Sequence, residues 1–219
     1  MQNQVGLKNL YRIVSAAHTQ YFFKKPRVPR SLLNQYREGL LLSPACEAGE
    51  LYRAIVAGQP YEQLLRIADY YDYLEVQPLG NNEFMVRNGQ VDSIEAIKNF
   101  NRTVIKLGED LHKPVVATGD SHFQEPEDWI YRAVLQAGNG FKDADNQAPL
   151  YFRTTPDMLE DFQRTCRRKR PTRSFVTNPN KIAATIDQQP ACHPQGTYPP
   201  SIPGAEQELR DDTLEACRR

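Results

Sequence analysis

The chain has 219 residues, of which 40% are hydrophobic and 25% charged, so it is long enough to bury one sizeable core. Its 27 lysine and arginine residues balance 27 aspartate and glutamate residues, which excludes a global electrostatic attraction to nucleic acid. No run approaches about 18 apolar residues and no signal-peptide pattern is present, so we expect a cytoplasmic protein that makes no contact with a membrane.

The first third of the chain is predicted to alternate helices with a strand. Apolar residues recur every three or four positions over residues 5–23, which predicts an amphipathic helix that ends before Pro26. The apolar run GLLLSPA at 39–45, bounded by glycine and proline, predicts a buried strand. Helices are then predicted near residues 51–55 and over 61–71.

The same alternation continues into the middle of the chain. Residues 73–78 predict a second strand. Regular apolar spacing over 94–111 predicts the clearest helix, and Asp92 and Ser93 lie where an N-cap belongs. A third strand is predicted at VVAT, 115–118, and a further helix over 126–137. Strands that alternate with helices favour a parallel α/β sheet or barrel.

Three side chains follow predicted strands of this sheet. Cys46 comes after the first strand, and Asp120 and His122 come after the third. Ligands of parallel sheets and barrels gather at the carboxyl ends of the strands, and residues two apart in extended chain point the same way. Carboxylate and neutral imidazole suit zinc, manganese or iron, so we expect Asp120 and His122 to bind a divalent metal.

Simpler roles stay open for each of these three residues. Asp120 is also suited to capping the helix that follows, and His122 to a hydrogen bond at a strand end. Cys46 alone is typical of a small buried apolar residue.

The other histidines and nearby acids favour structural roles. His18 lies at the edge of the first helix's apolar stripe, and His112 lies at a helix end where a positive charge is favourable. His193 stands beside Cys192 in a proline-rich stretch without further ligands. Glu47 and Glu50 open a helix, where acids complement the helix dipole.

The character of the sequence changes after residue 162. Residues 163–173 carry six basic residues and no acid, which is typical of a solvated segment and less often of a phosphate-binding one. Residues 188–200 are proline-rich, and 205–219 predict a short acidic helix. The four cysteines, at 46, 166, 192 and 217, are too sparse for a disulfide scaffold. We therefore predict two parts, a folded domain over 1–162 and an irregular tail over 163–219.

Several long stretches of the sequence are distinctive enough to carry a family resemblance. They are VGLKNLYRIVSAAHTQYF, PRVPRSLLNQYREGLLLSPACEAGEL, YDYLEVQPLGNNEF, KPVVATGDSHFQEPED, GFKDADNQAPLYFRTTPDML, TNPNKIA and GTYPPSIPGAEQELRDDTLEACRR. Together they resemble one family of bacterial proteins, the PolC-type alpha subunit of DNA polymerase III, in the latter half of its polymerase-and-histidinol-phosphatase (PHP) domain and in the link toward the palm.

The resemblance implies a partial, distorted β/α barrel of the PHP type with an irregular C-terminal tail. It implies that Cys46, Asp120 and His122 are late ligands of a divalent metal cluster of zinc, manganese or magnesium, whose other ligands lie outside this sequence. It also implies that DNA and replisome subunits are partners of the intact enzyme, a DNA-directed DNA polymerase with an inserted 3′-to-5′ exonuclease.

We therefore expect a piece of a replicative polymerase that supports the catalytic domain and is inactive in isolation. The stretches QRTCRRKRPTRSF and DQQPACHP depart from the family pattern, which suggests a truncated or frameshifted reading frame. The alternatives are a stand-alone PHP-type phosphoesterase that completes its site by dimerising, and a non-catalytic interaction module. Exposed strand edges would make the isolated chain prone to self-association.

Overall fold

The structure, a computed structural model, describes residues 1–141, 143–163, 173–187 and 202–218. Its contacts divide the chain into two compact units, residues 1–187 and 188–219. The helices of the first unit are α1 (Gln4–Thr19), α2 (Arg30–Gln35), α3 (Glu50–Val56), α4 (Tyr61–Asp69), α5 (Leu79–Asn82), α6 (Phe84–Arg87), α7 (Ile94–Asp110), α8 (Trp129–Gly138), α9 (Thr155–Gln163) and α10 (Asn178–Ala183). Single turns of 3-10 helix and π-helix lie at Pro126–Asp128 and Arg173–Thr177.

A small parallel sheet lies at the centre of the first unit. Strand β1 (Leu74–Val76) pairs with β2 (Val115–Ala117), with Leu74 opposite Val115 and Val76 opposite Ala117. The chain crosses from one strand to the next through α5, α6 and α7, as parallel pairing requires. The predicted α/β class is thereby confirmed. The sheet has two strands in the described ranges, which form no barrel.

The prediction of a strand at 39–45 is wrong, because the structure has none there. The backbone of this segment bonds to the residues directly before β1 through Leu42 alone among the described residues. The carbonyl of Leu42 accepts the amide of Asp72, while the amide of Leu42 donates to the Asp72 carboxylate at 2.7 Å. A side chain thus takes the donor that a strand ladder would use, and Pro44 has no amide to donate. The apolar run therefore becomes an extended loop that buries Leu40.

Helix α7 packs across both strands and matches its prediction closely. The hydroxyl of Ser93 accepts the amide of Ala96, which caps the helix as expected. Ile97 and Leu107 are fully buried. A Cβ added at Gly108 would lie only 2.2 Å from a methyl group of Val115 on β2. Glycine therefore allows this close approach between helix and strand.

One apolar core holds the sheet and its helices together. It is built from α3, α4, α7, α9 and the two strands, and its buried members are Leu51, Ile55, Leu64, Ala68, Leu74, Val76, Val104, Leu107, Val115, Met158 and Phe162. The predicted helices over 5–23, 51–55, 61–71 and 126–137 are present as α1, α3, α4 and α8, although α1 ends at Thr19. Short or weakly periodic α2, α5, α6 and α9 were not predicted.

The compact unit continues past the edge predicted near residue 162. Phe162 in α9 is only 2% exposed and belongs to the core. Further along, the side-chain amide of Asn178 donates to the backbone carbonyl of Val115 at 2.7 Å, so residues around the start of α10 pack on β2. The basic run from 164 to 172, Cys166, Cys192 and His193 lie outside the described residues.

In the second unit the structure describes a single helix, α11 (Ala205–Arg218), as predicted for the acidic C-terminal stretch. None of its residues is buried. Across the part of the chain that the structure describes, no helix has the length and apolar character needed to span a bilayer.

Candidate metal centre

The loop that follows β2 carries Asp120 and His122. The ladder continues one step past the strand, where the amide of Thr118 donates to the carbonyl of Val76 at 3.1 Å. Asp120 then adopts a left-handed backbone conformation with φ of 52°. The two side chains therefore meet across a turn and not along extended chain, as the sequence had suggested.

The turn brings the two side chains into direct contact. His122 Nε2 lies 3.3 Å from Asp120 Oδ1, and each side chain is 46% exposed. An imidazole nitrogen and a carboxylate oxygen thus face one point from a solvent-accessible position. These two donor atoms fit a divalent cation, because both atom types are ordinary ligands of zinc and manganese.

Two backbone anchors fix this loop on either side. The Asn81 side-chain amide donates to the carbonyl of Gly119 at 2.9 Å, directly before Asp120. On the other side, the amide of His122 donates to the carbonyl of Leu150 at 2.7 Å. Asn81 is 6% exposed, and its own carbonyl oxygen has no hydrogen-bond partner in the described structure. Helix α5 thus contributes to the site through Asn81, which the sequence reading missed.

Cys46 lies in a second tight loop, between the extended segment and α3. The preceding residue, Ala45, is left-handed with φ of 61°, and the amide of Gly49 donates to the Cys46 carbonyl at 2.9 Å. A Cβ at Gly49 would lie 1.8 Å from the carbonyl oxygen of Pro44, so the loop closes only around glycine. Burial raises the pKa of the Cys46 thiol, and the neighbouring Glu47 raises it further, so the protonated thiol is favoured at neutral pH.

Glu75 on β1 links the two loops. Its side chain lies on the opposite face of the strand from the buried Leu74 and Val76. The hydroxyl of Ser43, three residues before Cys46, donates to one oxygen of Glu75, and the hydroxyl of Thr118, two residues before Asp120, donates to the other at 3.2 Å. Glu75 is the one acid in the YLEVQP stretch, but nothing in the sequence indicates its two hydroxyl partners.

The structure therefore holds two of the three predicted ligands in contact. Among the residues that the structure describes, no group of three or more histidine, cysteine, aspartate or glutamate side chains is close enough to hold a metal ion. The assignment of Cys46, Asp120 and His122 as ligands of one metal stays a prediction. The pair alone fits part of a coordination shell.

The other two histidines in the described ranges, His18 and His112, lie in or after helices and have structural roles. The ring of His18 contacts the carbonyl of Val14, one turn earlier in α1, at 2.8 Å. His112 has a φ of 55° two residues past the end of α7, a position where left-handed backbone is typical of a helix C-terminus. Glu50 opens α3 and forms an ion pair with Arg30 at 2.5 Å.

Part of this chain matches a known domain family. Residues 1–78 match the PHP domain. The matched region includes helix α1, the Cys46 loop and strand β1.

Three similar relatives are each named DNA polymerase III PolC-type. The chain is 46% identical to that of Clostridium perfringens over 97% of its length, 49% identical to that of Caldanaerobacter subterraneus subsp. tengcongensis over 98%, and 40% identical to that of Bacillus subtilis over 99%. It spans about 15% of the length of these curated relatives. The chain is thus homologous to one segment of PolC-type DNA polymerase III, and the resemblance drawn from its sequence is confirmed.

Proposed function

We propose that this chain is a segment of a replicative DNA-directed DNA polymerase, where it forms part of a PHP domain. The observation that carries the proposal is the 46–49% identity to two PolC-type polymerases over nearly the whole chain. The parallel pairing of β1 and β2 supports this proposal, because neighbouring strands of a PHP-type β/α barrel are parallel.

In this role the segment contributes ligands to a divalent metal centre. Cys46, Asp120 and His122 would hold the ion together with ligands from elsewhere in the polymerase. A bound zinc, manganese or magnesium ion supplies positive charge that stabilises phosphate oxygens. The chain's own part is to orient the pair of Asp120 and His122 through Asn81 and Leu150, and to link it to the Cys46 loop through Glu75.

Taken alone, the chain is expected to show neither polymerase nor appreciable phosphoesterase activity. Two donor atoms in contact hold a cation only weakly, and phosphoryl transfer commonly uses two metal ions about 4 Å apart. Release of nucleotides from DNA by the pure chain, dependent on added Mn²⁺ and abolished in Asp120→Ala, would contradict this expectation.

A segment exchange tests the proposal directly. The homologous segment of the Bacillus subtilis polymerase is replaced by this chain, and primer extension by the purified chimera is measured. We expect extension within about tenfold of the parent enzyme, because the alignment covers 99% of the chain at 40% identity. A matched chimera with Ile97→Asp, which places a charge in the core, should lose extension. A folded, soluble exchange chimera without extension would refute the proposal.

One surface favours a second role, as an interaction module within the replisome. Helix α8 buries only Ala133, and its other large apolar side chains are exposed: Trp129, Ile130, Tyr131, Val134 and Leu135. A concentration of exposed apolar side chains on one helix is typical of an interaction site or promotes self-association. Size-exclusion chromatography with metal analysis distinguishes these roles, because a metal-free stable complex favours the module and a metal-containing oligomer favours a dimeric phosphoesterase.

A further inference from the structure

A short segment between α1 and α2 combines exposed aromatic and basic side chains. Tyr21, Phe22 and Phe23 are 39%, 56% and 58% exposed. Lys24, Lys25 and Arg27 follow directly and are also exposed. We call residues 21–27 the basic-aromatic loop. Phe22 and Phe23 do not belong to the buried core of the described chain, so their exposure calls for a different explanation.

The backbone of the basic-aromatic loop holds these side chains in a defined bend. Lys24 is left-handed with φ of 60°, and the amide of Phe23 donates to the carbonyl of Lys25 at 3.1 Å. The Arg27 guanidinium lies 4.8 Å from the centre of the Phe23 ring, and the Lys24 ammonium lies 5.8 Å from it. Cations and rings thus occupy one surface together.

The charge around the loop is positive and only partly neutralised. Residues 18–37 contain five lysines and arginines and no aspartate or glutamate. Arg30 pairs with Glu50 and Arg37 with Asp72. Lys24, Lys25 and Arg27 form no ion pair with any other described residue. Three cations are therefore available to a negatively charged ligand.

We propose that the basic-aromatic loop binds single-stranded nucleic acid. Such ligands offer alternating phosphates and flat base faces, and proteins bind them with cations beside aromatic rings on which bases stack. A duplex hides its base faces, so the exposed rings favour a single strand. The loop lies outside the candidate metal centre, and the inference goes beyond the proposed function without resting on it.

The salt dependence of binding gives a first quantitative expectation. Three phosphate contacts to a single strand correspond to a slope of about −2 in a plot of log affinity against log salt concentration, at roughly −0.7 per contact. The affinity of the full chain for a fluorescein-labelled oligothymidylate, measured by anisotropy at several salt concentrations, provides this slope. A shallower slope in Lys24→Glu/Lys25→Glu/Arg27→Glu, with affinity reduced at least tenfold, is the expected result.

Aromatic variants separate stacking from charge. Phe22→Ala/Phe23→Ala should weaken oligothymidylate binding on the order of tenfold while leaving the salt slope unchanged, because stacking carries no counterion release. Matched controls change exposed side chains elsewhere: Tyr131→Ala/Phe141→Ala for the rings, and Arg53→Glu/Arg66→Glu/Lys181→Glu for the charges. Each control should retain wild-type affinity. Circular dichroism confirms that every variant is folded.

Three results would overturn the proposal. Wild-type affinity in both loop variants would assign any binding to other cations of the chain, such as those at 164–173. Equal losses in the control variants would show a non-specific charge or ring effect. Binding to vesicles of anionic lipid without measurable binding to oligothymidylate would identify a membrane surface as the ligand. The readout is independent of primer extension, so this proposal and the proposed function can fail separately.

Discussion

Glu75 is the residue that joins the two loops of the candidate metal centre. Its carboxylate accepts hydroxyl groups from Ser43 and Thr118, and the removal of such a half-buried acceptor leaves both donors without their partner. We expect Glu75→Ala to lower the free energy of unfolding by about 1–3 kcal/mol in urea denaturation. Glu83→Ala, at an exposed position, should have little effect. Equal losses in both variants would show that the Glu75 contacts contribute nothing specific.

Tyr52 should make the protein sensitive to alkaline pH. Burial raises the pKa of its phenol well above the ordinary value of about 10. Below pH 10 the phenol is protonated in both the folded and the unfolded chain, so its contribution to stability is fully present. Above pH 10 the unfolded chain loses the proton first, so stability falls as the pH rises toward the folded-state pKa.

The corresponding measurement is the free energy of unfolding between pH 8 and pH 11. We expect Tyr52→Phe to flatten the alkaline loss, by up to about 1.4 kcal/mol per pH unit above pH 10. Tyr131→Phe, at a phenol that is 68% exposed, serves as the matched control and should leave the pH profile unchanged. Identical alkaline slopes in wild type and Tyr52→Phe would contradict this assignment.

Sequence patterns located Asp120 and His122 but not the residues that hold them. These two predicted ligands stand out because a polar pair directly follows an apolar strand. The left-handed conformation of Asp120, by contrast, depends on anchoring by Asn81 and Leu150, which are distant in sequence. Glu75 was missed because a single acid within an apolar run gives no indication of its partners.

Helix α7 and strand β2 depend on glycine at their point of contact. Gly108→Ala should destabilise the protein by about 1–3 kcal/mol, because the new methyl group would overlap Val115. Gly138→Ala in α8 is the matched control: its Cβ would meet nothing within 4 Å, so helix propensity predicts a neutral or stabilising change. Urea unfolding of the two variants measures the difference, and equal stabilities would mean that the contact relaxes without cost.

Helix α10 should contribute to the stability of the sheet although it lies beyond residue 163. Asn178→Ala removes a buried hydrogen bond to the Val115 carbonyl and should cost about 1–3 kcal/mol. Asn180→Ala, two residues on at an exposed position, is the control and should change stability much less. Thermal unfolding of both variants would reveal the difference. An unaffected Asn178→Ala variant would place the functional edge of the domain near residue 162, as the sequence suggested.

Element prediction succeeded where periodicity was long and failed where tertiary contacts decide. The apolar spacing and Ser93 cap of α7 specify that helix locally. Residues 39–45 have the composition of a strand, yet the Asp72 side chain occupies the amide of Leu42. Helix α9 has no strong local signal, and it is held by burial of Phe162 in a core assembled from distant segments.

For the whole molecule, sequence identity over nearly the full chain says more about function than any single site does. The resemblance to PolC-type polymerases follows from several long stretches, whereas the described residues form a two-stranded sheet and bring two predicted ligands into contact. Cys46, Asp120 and His122 lie on loops linked through Glu75, and the proposed function requires that these loops share one metal ion.

Protection of Cys46 by metal tests this requirement most directly. In the exchange chimera, alkylation of the Cys46 peptide is followed by mass spectrometry with and without Zn²⁺. We predict that Zn²⁺ slows alkylation of Cys46 at least tenfold, and that Asp120→Ala or His122→Ala abolishes most of this protection. Alkylation of Cys46 at the same rate with and without Zn²⁺, or protection that persists in both variants, would contradict a shared metal centre.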